Sequence, residues 1–179
     1  MPLPNPRITT PPRTGRGFTI IELISVILIV GILSAVAIPA MSSLRSTRAS
    51  AAAKLILRDV SYARERAITT GCRSWVVFGI GTNSYSILGE PIGAPGRANA
   101  VTMKDPATGN SFTQSLNASE FAGVSLVSAV FDSGAEVGFD WTGKPLNSTA
   151  APLAAQGVVT LTGGKSVTVQ PGTGFTAAP

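Results

Sequence analysis

The hydrophobic pattern changes character twice along the chain. From Phe18 to Ala40 the apolar positions run almost without a break. Ile20, Ile21, Leu23, Ile24, Val26, Ile27, Leu28, Ile29, Val30, Ile32, Leu33, Val36 and Ile38 carry the run, and Glu22 is its only ionisable side chain. Beyond it the pattern thins to a stripe. Ala49, Ala52, Ile56, Val60, Ala63 and Ala67 recur at spacings of three and four, with Lys54, Arg58, Ser61 and Glu65 opposite, which is the period of one helix face. Thr69-Thr70-Gly71 then ends the pattern with a glycine stop. The two stretches predict one helix over about 19–69, with small alanines on the inner face that let a sheet approach closely.

After Gly71 the period becomes that of strands. Ser74-Trp75-Val76-Val77-Phe78 and Tyr85-Ser86-Ile87-Leu88 are rich in β-formers, with a turn over Gly79 to Ser84. Residues 89–120 are rich in Gly, Pro, Ala, Asn and Thr and read as a long loop with little core content. Strands follow at Val124–Val127, Glu136–Phe139 and Val158–Leu161. Gly163-Gly164 turns the last of these into a hairpin with Ser166–Val169. Gly172-Thr173-Gly174 and the last five residues read as frayed. The order predicts an α+β fold, a long N-terminal helix packed on an antiparallel β-sheet head.

The apolar run is of membrane grade. Each large aliphatic favours insertion by roughly 0.3–0.6 kcal/mol, so the run gains about 4–8 kcal/mol against about 3 kcal/mol for one carboxylate at the bilayer centre. At about 1.5 Å per residue the stretch from Phe18 to Ala40 also spans a hydrocarbon core of about 30 Å. Three readings compete: a plain single-span anchor, a secretory signal cut at Ala35-Val36-Ala37, and a segment in which Glu22 has work to do. The run is long for a secretory signal, and Glu22 sits badly in one.

Charge and composition narrow the chemistry. The formal charge is +5, with 14 basic and 9 acidic residues. The excess lies in the leader and along residues 45–73, in Arg7, Arg13 and Arg16 and then in Arg45, Arg48, Lys54, Arg58, Arg64, Arg66 and Arg73. These stem arginines invite a nucleic-acid reading. Charge alone is weak support for it, and no aromatics are interleaved for base stacking. A solvated face, with Arg45 and Arg48 meeting lipid phosphates, is the alternative. There is no histidine, so neither a Ser-His-Asp nor a Cys-His pair exists. The single cysteine, Cys72, excludes an intramolecular disulfide and reads as a small buried thiol. Gly79-Ile80-Gly81 lacks the further glycine of a dinucleotide loop. Asp132, Glu136 and Asp140 could hold calcium, but their spacing is not that of an EF-hand and an acidic rim is the plainer reading. Trp75 and Trp141 read as core or turn packing. No catalytic set, metal site or cofactor site is expected.

Arg16-Gly17-Phe18-Thr19-Ile20-Ile21-Glu22 closely resembles the class III signal of type IV prepilins and type II secretion pseudopilins. The resemblance implies that a prepilin peptidase/methyltransferase cuts between Gly17 and Phe18 and N-methylates Phe18. It also implies that Glu22, fifth in the mature chain, pairs with the N-terminus of a neighbouring subunit as a filament grows. Pro39 falls where many pilins carry a proline, and it is expected to kink the helix or mark its exit from the membrane. The Ala-Arg-Glu-Arg-Ala run at 63–67, the Phe139–Pro145 turn and the final hairpin further resemble the GspH/FimT group of minor pseudopilins and minor pilins. The chain lacks the arginine-rich end that such minor pilins would need there to grip DNA.

The expected organisation is a leader at 1–17, a transmembrane assembly helix at 18–41, a helical stem at 42–70 and a β-rich head at 71–179. The expected function is that of a non-enzymatic minor pseudopilin of a type II secretion system. It would sit in the bacterial inner membrane with its head on the periplasmic side, among other pilins or pseudopilins. A minor type IV pilus subunit, serving pilus biogenesis or DNA uptake, and a membrane-anchored binding domain that never polymerises are the alternatives.

Overall fold

The computed structural model describes residues 17–132 and 134–178, without the side chains of 36–42. The leader residues 1–16, including Arg16, and the side chain of Pro39 lie outside the described residues. The chain divides into two units, one ending at Ala40 and the other beginning at Met41.

Helix α1 runs over Ile20–Thr70, one residue from the predicted bounds at either end. It stops because Gly71 takes φ 68°, a left-handed conformation that costs a residue with a Cβ, and its N–H still closes on the Ala67 carbonyl at 3.1 Å. In the second unit the helix buries Ala49, Ala52, Ala53, Ile56, Val60, Ala63 and Ala67. This is the predicted face, widened by Ala53. Burying Ile56 and Val60 contributes about 1.5–3 kcal/mol each.

All strand pairings are antiparallel. β1 (Ser74–Gly79) pairs with β2 (Ser84–Gly89) in a hairpin and with β6 (Glu136–Phe139) on its other side. β6 pairs in turn with β7 (Pro145–Leu146). The outer edge of β2 carries two short strands in succession, β3 (Val101–Thr102) and β4 (Thr113–Ser115). A second sheet has the order β10-β9-β8-β5, from β5 (Leu126–Val130), β8 (Gly157–Leu161), β9 (Ser166–Val169) and β10 (Thr176–Ala177). Both sheets send side chains into one core with the helix stripe. Val76, Phe78, Ile87, Phe131, Val137 and Phe139 come from the first part of the head, and Val159, Leu161, Val167 and Val169 from the second sheet. Trp75 is fully buried, and Gly138 faces its ring so closely that a Cβ there would overlap it.

Four expectations need correction. The 89–120 segment is not empty of core: Phe112, Leu116 and Phe121 are buried in the main cluster, and Met103 packs against it. The segment folds back on β2, with Met103 N–H donating to the Ile87 carbonyl and Ile87 N–H to the Phe112 carbonyl. The chain end is paired rather than frayed, because β10 closes on β9 around the 170–175 turn. Trp141 is exposed, with the Arg73 guanidinium 5.8 Å above its ring, and Cys72 is only half-buried.

Candidate functional site

Two regions carry polar groups in places where apolar physics would not put them: the start of α1 and the seam between stem and head. At the helix start, Gly17, Phe18 and Thr19 precede the first helical turn. Nothing stands within 4 Å of where a Gly17 Cβ would be, and Phe18 is 83% exposed. Thr19 is the N-cap. Its Oγ1 accepts the Glu22 N–H at 3.3 Å, and its carbonyl accepts the N–H groups of Glu22 and Leu23. A threonine cap contributes about 1 kcal/mol to a helix end. Thr19-x-x-Glu22 is the sequence of a capping box, and a carboxylate in the first turn is also favoured by the helix dipole. Phe18 and Glu22 therefore lie about one turn apart at the same end. Pro39 is remote from them, about 25 Å further along the helix at 1.5 Å per residue.

The run behind Glu22 is bare. Ile20, Leu23, Ile27, Leu28, Ile32 and Leu33 are among the exposed large apolar side chains. The polar groups inside the run are satisfied internally: the Ser25 hydroxyl donates to the Ile21 carbonyl and the Ser34 hydroxyl to the Val30 carbonyl, both at 2.7 Å. Among the described residues, no helix is long and apolar enough to cross a membrane.

At the seam, Asp59 is 1% exposed on the inner face of the stem. Its Oδ2 accepts the Tyr85 hydroxyl at 2.7 Å, and its Oδ1 accepts the Arg58 Nε–H at 2.8 Å. Burial, and then the Asp59 charge it faces, push the Tyr85 phenol far above its ordinary range. The sequence held a signal for this site. Asp59 sits three residues after Ile56 and four before Ala63, on the apolar stripe itself, where a carboxylate must find donors.

Other stem arginines are also tied to the head. Arg48 Nη1 donates to the Ala122 carbonyl at 3.2 Å, and Arg64 Nε donates to the Gly143 carbonyl at 3.0 Å. Arg48 is thus committed in part to the head and not simply turned to lipid. Arg58 differs from these two: its partner Asp59 lies on the same helix, and its side chain stays 67% exposed.

The three carboxylates weighed for calcium have separate duties. Asp132 accepts the N–H groups of Ala154 and Ala155 and the Asn147 amide, and those donors, the backbone ones first, hold its carboxyl below the usual range. Glu136 is bound bidentate by Arg97 at 3.0 and 2.6 Å, which raises the guanidinium further. Asp140 closes the 140–144 turn. Burial presses its carboxyl upward, but bonds from the Thr142 hydroxyl and from the Lys144 and Thr142 backbone N–H groups outweigh that and lower it. No group of three His, Cys, Asp or Glu side chains is placed to hold a metal among the described residues.

No protein-family model matches the chain, and no curated protein does. Solved structures do. The chain is similar to a structure of the minor pseudopilin EpsH from the Type 2 Secretion System of Vibrio cholerae, at 14% identity and a TM-score of 0.51, over 74% of this chain and 96% of that one. A second crystal structure of the same Vibrio cholerae pseudopilin matches at 14% identity and a TM-score of 0.54, over 74% and 94%. The likeness covers most of both chains and gives the fold: a pilin-like α+β arrangement of an N-terminal helix on antiparallel sheets.

Proposed function

We propose that this chain is a minor pseudopilin, built to be cut, anchored and packed into a secretion-system filament. One observation carries the reading: a bare apolar helix, capped at Thr19–Glu22, continues directly into a stem that seals a pseudopilin-like head. An exposed apolar surface of that size marks a membrane or protein contact. The run continues in sequence to Ala40, long enough for a single membrane span with the head on the periplasmic side. The prepilin peptidase/methyltransferase would cut between Gly17 and Phe18, where the backbone is open to approach, and methylate Phe18. The new amine and the Glu22 carboxylate would then neutralise each other between adjacent subunits, since a charge in lipid is costly unless paired. Pro39 would bend the helix among its neighbours.

The type II secretion reading is preferred to a type IV pilus subunit because the two pseudopilin structures compared above come from a type II system. Mass spectrometry of the mature N-terminus tests the proposal. A chain beginning at N-methylated Phe18 is expected, and one beginning at Ile38 would mean ordinary secretion. Glu22→Ala is expected to be processed normally yet to be missing from sheared filaments. Normal incorporation of that variant would remove the charge-pairing role.

A further inference from the structure

Where the stem turns through Gly71 into β1, a cleft of about 380 Å³ opens between the helix exit and the loop after β2. Cys72, Arg73, Glu90, Ile92, Pro95 and Trp141 are among the residues that line it. Its rim is apolar and uncovered, with Ile92 90% and Trp141 56% exposed. Its polar group is the reverse. Glu90 is 5% exposed, and its Oε1 has no hydrogen-bond partner among the described residues. The backbone holds it there, since Glu90 N–H donates to the Arg73 carbonyl at 2.9 Å.

A buried carboxylate without a donor is costly, and such groups are normally paired. The nearby arginines give it no hydrogen bond, although the Arg97 charge acts on it from a distance. Arg97 forks onto Glu136 and lies over the Trp75 ring, and Arg73 lies over Trp141. Arg66 has its Nη1 buried against Gly89 without a partner, and it makes no ion pair with Glu90. One carboxylate is too few for a divalent cation, which takes several oxygen ligands. The missing partner has an ammonium or guanidinium head on an apolar stem.

We propose that this cleft docks a basic side chain, lysine above all, from an extended segment of a partner protein. The cation reaches Glu90, while the methylenes lie along Ile92 and Trp141, as long basic side chains bury their stems on apolar surface. The walls on either side of the charge give the flanking residues of the segment something to cover, which a free amine would leave open.

The test uses the full chain in detergent micelles, labelled with 5-fluorotryptophan. The protein has two tryptophans, so fluorine NMR reads Trp141 in the cleft and Trp75 in the core separately. Titration with an acetyl-Gly-Lys-Gly-amide peptide is expected to shift Trp141 saturably and leave Trp75 in place. Glu90→Gln should weaken the peptide at least about tenfold, the scale of one charge-assisted hydrogen bond. The exposed Ile92→Ser should weaken it by a smaller factor, and the Trp75 resonance reports whether each variant is folded. The proposal is overturned by no saturable shift, by an equal shift with the lysine acetylated, or by unchanged affinity in Glu90→Gln. A shift with acetyl-Gly-Glu-Gly-amide instead would assign the cleft to Arg73 and also overturn it.

Discussion

Removing one oxygen from the seam between stem and head should loosen the whole junction. Tyr85→Phe deletes the hydroxyl that donates to Asp59 at 2.7 Å and leaves a carboxylate that is 2% exposed with Arg58 as its remaining side-chain partner. Hydrogen bonds to charged groups contribute about 1.5–3 kcal/mol, and a loss of that size is expected. Asp59→Ala should cost about as much or more, because it strands the buried phenol. The double variant should lose less than the sum of the two, by roughly 1–3 kcal/mol, since the two groups serve one bond. Urea unfolding of the full chain in mild detergent, followed by tryptophan fluorescence, measures all three.

The same bond makes a pH prediction. The folded-state pKa of Tyr85 is raised above its unfolded value, so the stabilisation is complete below about pH 10 and falls as pH rises above it. The fall should be up to about 1.4 kcal/mol per pH unit. Tyr85→Phe should lack that alkaline component. If Tyr85→Phe lies within about 0.5 kcal/mol of the parent and keeps the same alkaline slope, the seam is not held by this pair and the reasoning fails.

Two further outcomes test the packing of the head. Gly138→Ala drives a methyl into the Trp75 ring and should destabilise by about 1–3 kcal/mol, with a shift in Trp75 emission. Arg97→Gln removes a bidentate pair whose side chains are 28% and 14% exposed and uncovers the Trp75 face. It should cost about 1–2 kcal/mol and reduce the salt dependence of the unfolding midpoint relative to the parent.

The parts of the fold legible in the sequence are those where one periodicity governs many residues. The stem face was readable because alanines and β-branched residues repeat over several turns, and Gly71 marks its end. Strands β1, β2, β6, β8 and β9 are readable because each is at least four residues long and carries β-formers beside a turn. Strands β3, β4 and β10 are two or three residues long. At that length there is no period to read, and they exist because the edges of β2 and β9 offer free backbone groups. Phe112 and Leu116 are buried for the same reason, carried inward by the return of the chain along β2. Asp59 and Glu90 were counted as charges when their importance lies in burial. Only the fold reveals which carboxylates are cut off from water, although Asp59 could have been caught by its place on the apolar stripe. At the helix start the resemblance singled out Gly17, Phe18 and Glu22, and the structure added the cap donated to Thr19.

The alanine face of the stem has a mechanical consequence. Ala49 to Ala67 lie along about 27 Å of helix axis at 1.5 Å per residue, with the Asp59–Tyr85 and Arg64–Gly143 bonds within that length. A pull along the stem axis loads these contacts together, in shear, whereas a pull across the axis would open them one after another from an end. The stem is therefore held most firmly against sliding along its own axis, and a load in that direction moves head and helix as one body where a sideways load would peel them apart.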